Sequence, residues 1–182
     1  GAVGKTRHRS IESNTSYQVT AISESSENAR KSIPDGIDIY NDYKTLIASA
    51  ELDVIFISLP NQFAAEAACL SLQNGLHVFC EKPPARTHAE LLEVKKQSLK
   101  FPELKLMYGF NHRFHLSVEE AKLLIDSNSL GRLINMKGVY GKSQMISFNQ
   151  ADWRTDREAS GGGILLDQGI HMLDLMRHLS GE

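Results

Sequence analysis

"LDVIFISLPNQFAAEAACLSLQNGLHVFCEKPPA", Leu52 to Ala85, reads strand, helix, strand without a break. Leu52 to Pro60 is a continuous apolar run with no period-two alternation, which predicts a strand covered on both faces, as in a parallel sheet. Asn61 to Gly75 places Phe63, Ala67 and Leu70 on one helical face and stops at Asn74-Gly75, a good C-terminal pair. Leu76 to Cys80 is a second apolar strand, and it surfaces directly into Glu81, Lys82 and Pro83. Charge and proline end strands well, so this junction taken alone needs no functional account.

The alternation continues in both directions. Upstream, "YQVTAIS" (Tyr17 to Ser23) is a β-branched strand and "NDYKTLIASA" (Asn41 to Ala50) a short capped helix. Downstream, Thr87 and Glu90 stand in capping-box spacing at the start of "THAELLEVKKQ", and "LKLMYGF" (Leu104 to Phe110) is another strand. Strands alternating with helices predict an α/β layer, a Rossmann-type doubly wound parallel sheet. The pattern changes near Asn111 to Ser117, which divides the chain into residues 1–113 and 114–182. In the second part, Ser117 and Glu120 form another capping box before "VEEAKLLID", a helix expected to end near Asn128 or Gly131. "RLINMKGVYGKS" (Arg132 to Ser143) has the alternation of an antiparallel strand, opening an α+β domain with an open, mostly antiparallel sheet. Gln144 to Arg157 reads as a loop, and Ser160 to Gly163 lead into a helix through about Leu179.

Composition narrows the function classes. The 182 residues are 41 % apolar and 23 % charged, with 20 basic and 22 acidic side chains for a net charge of −2. That field attracts neither nucleic acid nor an anionic surface, and the apolar runs are too short for a membrane span. A small molecule or another copy of the chain is the expected partner. Cys69 and Cys80 lack metal or redox spacing and read as reduced core residues of a cytoplasmic protein.

The chain begins "GAVGKTRHRS", where Gly1 and Gly4 fit the last two glycines of the fingerprint G-x-G-x-x-G. In that fingerprint the backbone approaches a pyrophosphate at a helix N-terminus. Glu24, 20 residues after Gly4 at the end of a strand, stands where an acid accepts hydrogen bonds from an adenosine ribose. A carboxylate there repels a 2′-phosphate, so NAD is favoured and NADP remains possible. The strand that normally precedes such glycines is not in the sequence, which gives the expectation of a chain incomplete at its start. In "GGGILLDQGIHMLDLMRHL", Asp167 and His171 are four residues apart, on one face of a helix whose other residues are apolar nearly all round. Such a helix is expected to be largely buried, Leu166 included. A metal reading would use His171 with Asp167 or Asp174, but no third ligand stands at a recognisable spacing.

"EKPPA" after one strand, "GFNHRF" (Gly109 to Phe114) after the next and "SGGGILLDQGIHMLDL" later, in that order, resemble the Gfo/Idh/MocA oxidoreductase family. The resemblance implies a nicotinamide-dependent dehydrogenase acting on a hydroxyl-bearing carbon of a sugar, cyclitol or nucleotide-linked sugar. It implies catalytic roles for Lys82, Asp167 and His171, and substrate contacts from these residues with Asn111 and Arg113. It also implies cofactor contacts from Gly1, Gly4, Glu24, Pro60, Asn61, Glu81 and Lys82, and from Trp153 and Arg154 by similarity of the "WR" pair. Where members often carry a histidine three residues after the Asn61 equivalent, this chain has Ala64. The family is about twice this length and uses its C-terminal sheet for oligomer contacts, which implies a homo-oligomer, a dimer or tetramer. A non-catalytic nucleotide-binding or regulatory protein on the same scaffold is the alternative.

Overall fold

The computed structural model describes residues 1–141 and 153–181, in two compact units, Gly1–Tyr108 and Gly109–Glu182. In the first unit the elements run α1 (Ala2–Glu12), β1 (Ala21–Ser23), α2 (Glu27–Arg30), β2 (Asp38–Tyr40), α3 (Tyr43–Ser49), β3 (Val54–Ile57), α4 (Asn61–Gln73), β4 (His77–Cys80), α5 (His88–Lys100) and β5 (Leu106–Tyr108). All the strand pairs are parallel: β1 with β2 in one sheet, and β3-β4-β5 in another with β4 central. Among the described residues the two sheets are not bonded to each other.

The register aligns Ile57, Cys80 and Tyr108 across β3, β4 and β5, and likewise Phe56, Phe79 and Met107. Val78 and Cys80, 2 % and 0 % exposed, share a face with α4, whose Ala67, Ala68 and Leu72 are fully buried. Alanines there let α4 lie close to both β4 and α5, so small side chains rather than large ones make this interface. The apolar face read from sequence is therefore turned: Ala67 is core, but Phe63 is 36 % exposed and instead meets the Tyr43 ring at 5.9 Å. The opposite face of the sheet is only half covered. There Phe56 stacks on Phe79 at 5.2 Å, while Met107 stays 48 % exposed.

Caps fix the helix starts. Asp42 accepts the Thr45 N–H at 2.8 Å ahead of α3, and Thr87 accepts the Glu90 N–H at 3.2 Å ahead of α5, each worth about 1 kcal/mol. The Glu90 carboxylate takes the Arg86 N–H at 2.8 Å and the Arg86 guanidinium at 2.6 Å. Gly75, just past α4, has φ of +78°, a left-handed turn that glycine adopts without steric cost.

The second unit contains a 3-10 turn (Asn111–Phe114), α6 (Leu116–Asp126), α7 (Arg157–Ser160), a π-turn (Leu165–Gly169) and α8 (Ile170–Ser180). Several expectations change here. The N-cap of α6 is His115, with no side-chain cap bond, so Ser117 lies inside the helix and forms no capping box. Arg132 to Gly141 are not a strand: a strand needs a neighbour for its ladder, and none of the described residues of this unit supplies one. This segment instead brings Gly138 against the Met172 side chain, where a Cβ would collide with its methyl group. Lys142 and Ser143 of the expected strand, and residues 144–152 of the expected loop, lie outside the described residues. The expected single helix to Leu179 is divided into the π-turn and α8, and Leu166 is only partly buried because this end of the segment is open, with Ile164 70 % and Leu165 73 % exposed. Among the described residues, no helix is long and apolar enough to cross a membrane.

Candidate active site

In the first unit the candidate residues gather at the carboxyl ends of parallel strands, where open α/β sheets bind ligands. Gly1 caps α1, and its nitrogen lies 3.5 Å from Glu24 Oε2. The two halves of the fingerprint, separated by most of α1 and all of β1 in sequence, are thus adjacent. Glu24 is held from several sides: its N–H donates to Tyr40 O at 3.0 Å, its Oε1 accepts the Ser26 N–H at 3.0 Å, and its carbonyl accepts from Arg30 Nε at 2.8 Å. The Ser26 N–H, with Arg30, keeps this carboxyl below the usual glutamate range despite partial burial. Gly1, Gly4 and Glu24 line one cavity of about 470 Å³ with Ile22, Val54 and Phe56.

Pro60 and Asn61 follow β3 as the N-cap and first residue of α4, with Asn61 7 % exposed. Because Ile57 pairs with Cys80, the turn after β3 runs beside the turn after β4, and the Glu81 N–H donates to Ile57 O at 2.9 Å. Lys82 is half-buried there, and the Lys82–Pro83 peptide is cis. Glu81 has a partner that the sequence did not indicate: Arg7 Nε donates to its Oε1 at 2.6 Å, and the same guanidinium lies 4.9 Å over the Phe79 ring. So α1, which carries Gly1 and Gly4, is tied to the strand end that carries Lys82.

In the second unit Asn111 and Arg113 lie on the 3-10 turn, and Asp167 lies in the π-turn, where it accepts from Gln168 Nε2 at 2.8 Å. His171, in the first turn of α8, is 5 % exposed. Arg113 Nε donates to Asp174 Oδ2 at 2.8 Å, and a second bond from the guanidinium to Oδ1 makes the pair bidentate. Asp174, 8 % exposed, in turn holds the Arg113 guanidinium above the ordinary arginine value. Arg154 stacks on Trp153 at 4.6 Å. Arg7, His112 and Asp174 are the residues that sequence reasoning did not place in the site. Asp174 was visible as the next acid on the helix of His171, and His112 stood inside the "GFNHRF" motif.

Comparison with known proteins agrees with this fold. Residues 1–109 match the family model described as an oxidoreductase family with an NAD-binding Rossmann fold, and residues 118–182 match the GFO/IDH/MocA C-terminal domain. The levoglucosan dehydrogenase of Pseudarthrobacter phenanthrenivorans is 32 % identical over 143 residues, 78 % of this chain and 36 % of that protein. The crystal structure of myo-inositol 2-dehydrogenase from Lactobacillus plantarum superposes with a TM-score of 0.86 at 30 % identity, covering 100 % of this chain and 54 % of that one. A levoglucosan dehydrogenase in complex with NADH and levoglucosan superposes with a TM-score of 0.80 at 28 % identity, over 90 % of this chain and 45 % of that one. The chain thus spans about half or less of the length of these relatives. The parallel strands, the α1 N-terminus beside Glu24 and the two family matches place the chain in the Gfo/Idh/MocA oxidoreductase family, with an NAD-binding Rossmann fold in its first part.

Proposed function

We propose that the chain takes part in hydride transfer between a nicotinamide cofactor and a hydroxyl-bearing carbon of a sugar, cyclitol or nucleotide-linked sugar. The observation that carries this reading is the placement of Glu24, Asn61 and Lys82 after three parallel strands, with the N-terminus of α1 beside Glu24. In this reading the backbone at Gly1 and Gly4 binds a pyrophosphate, and Glu24 accepts from an adenosine ribose and disfavours NADP. Pro60, Asn61, Trp153 and Arg154 contact the cofactor, and Glu81 acts by holding α1 through Arg7. When bound, the nicotinamide supplies a hydride acceptor.

The remaining chemistry belongs to side chains. His171 accepts the hydroxyl proton as a neutral imidazole, and Asp167 supports it. Lys82 hydrogen-bonds the same oxygen and favours the developing alkoxide. Asn111 and Arg113 contact the substrate, Arg113 while paired with Asp174. We also assign the protein to the cytoplasm, supported by the two free cysteines, and to a homo-oligomer, supported by exposed apolar residues such as Leu116 and Ile134.

The test follows NADH absorbance while the protein is offered sugars, cyclitols and nucleotide sugars. Turnover is expected with at least one class, and Lys82→Ala is expected to lower it by roughly two to four powers of ten with little change in cofactor affinity. Cofactor binding without turnover of any of these compounds would instead support a regulatory role.

A further inference from the structure

His171 is enclosed by rings. The His112 imidazole lies almost parallel to it, 4.0 Å between centroids and 14° between planes. Phe110 meets it at 88° and 6.2 Å, and Tyr140 stands 6.3 Å away. His112 reaches this position from the 3-10 turn, where the next residue, Arg113, is fixed by both carboxylate oxygens of Asp174. Asp174 follows His171 by three residues, so the clamp and the stack lie on one face of α8 and join the same two elements. The ion pair sets where the 3-10 turn sits, and the turn then lays one imidazole on the other.

Charge makes this stack more than packing. Two imidazolium rings face to face, one buried and one half-buried, repel each other, so the second proton enters the pair only at lower pH than the first. Among the described acids on these elements, Asp174 is paired with Arg113, and Asp167 accepts a neutral amide N–H from Gln168. His115 lies 5.2 Å from His112 and adds a further titratable ring. On α6, which also packs against α8, Glu119 and Glu120 are exposed and Lys122 is paired with Asp126 at 2.5 Å.

We propose that His112 is a positioning residue for His171: its stacked ring fixes the plane of the proton acceptor and couples the two imidazoles into a pair that holds a single proton across the mildly acidic range. The role as acceptor rests on the dehydrogenase reading above; the coupling does not. In the reaction the substrate O–H bond breaks and its proton goes to His171, filling the pair's one place. A proton already on either ring therefore blocks the step, and the pair acts as one group in the pH profile.

The experiment is a pH titration of the histidine ring resonances by NMR on the whole protein, wild type against His112→Phe and His112→Ala. In the wild type, the His171 resonance is expected to move in two steps separated by about one pH unit or more. In both variants a single step should remain. A wild-type His171 resonance that moves in one step, with the same midpoint in all three proteins, overturns the proposal whatever the turnover. Where turnover is measurable, His112→Ala should lower kcat at least tenfold with KM for the cofactor unchanged, and His112→Phe, which keeps a flat ring, should recover part of that loss. Equal kcat in His112→Ala and wild type overturns the positioning role. Absence of turnover in the wild type counts against the dehydrogenase reading and leaves the titration to decide the coupling.

Discussion

Arg7 and Glu81, 74 residues apart, meet at 2.6 Å with side chains only 28 % and 17 % exposed, and the guanidinium covers Phe79 on the way. One contact thereby fixes a helix start and a strand end to each other.

Arg7→Ala removes a charged hydrogen bond and a stacked cation from a partly buried place. It is expected to cost about 1–3 kcal/mol of stability, measured by denaturant unfolding. A double-mutant cycle with Glu81→Gln should return a coupling of at least about 0.5 kcal/mol. The same Arg7→Ala variant should bind NAD more weakly in calorimetry, because α1 loses its tie to the turn that carries Lys82.

Glu24 predicts an acid limb. Its folded value lies below that of an unfolded glutamate, chiefly because it accepts the Ser26 N–H. A depressed carboxyl contributes stability that is present above the unfolded value, about pH 4.3, and is lost as the pH falls through the folded value. Thermal unfolding of Glu24→Gln against wild type should show a difference at pH 6 that shrinks toward pH 3. A difference that grows on acidification would contradict the assignment. The variant should also narrow the preference for NAD over NADP.

Asp174 predicts a large loss. Removing one partner of a buried ion pair leaves the other charge without compensation, and Arg113→Ala, which leaves the buried Asp174 carboxylate unpaired, is expected to destabilise by about 3 kcal/mol or more. Chemical denaturation measures it. Asp174→Ala should cost less, because the Arg113 side chain it leaves behind is 40 % exposed and is reached by water.

Cys80 predicts inertness. The thiol is fully buried and pushed up to about 12 by burial and by the neighbouring Glu81 charge. A polar disulfide reagent at neutral pH should modify it only as fast as the protein unfolds, whereas the partly buried Cys69 should react sooner. Mass spectrometry of timed labelling distinguishes the two.

The layout around Leu52 to Ala85 was legible because apolar run length, a helix stop and a charged strand end are local properties. Arg7–Glu81 was not, since nothing within α1 distinguishes Arg7 from Arg9; only the fold brings one of them to Phe79. Period-two alternation in Arg132 to Gly141 misled for the opposite reason. Alternation permits a strand, but a ladder partner makes one, and this stretch lies along α8 through Gly138 and Tyr140. The spacing of Asp167 and His171 assumed a regular helix, yet Asp167 sits in a π-turn with i→i+5 bonding, and the buried acid beside His171 is the one three residues later.

The position of β4 between β3 and β5 also has a dynamic consequence. Its amides are bonded on both edges and its alternate side chains are buried, so they should be among the slowest in the unit to exchange with deuterium. Lys82 therefore extends from one of the stiffest parts of the unit. A ligand reaching it would meet a rigid anchor rather than a yielding clasp, and its binding should leave exchange in β4 almost unchanged.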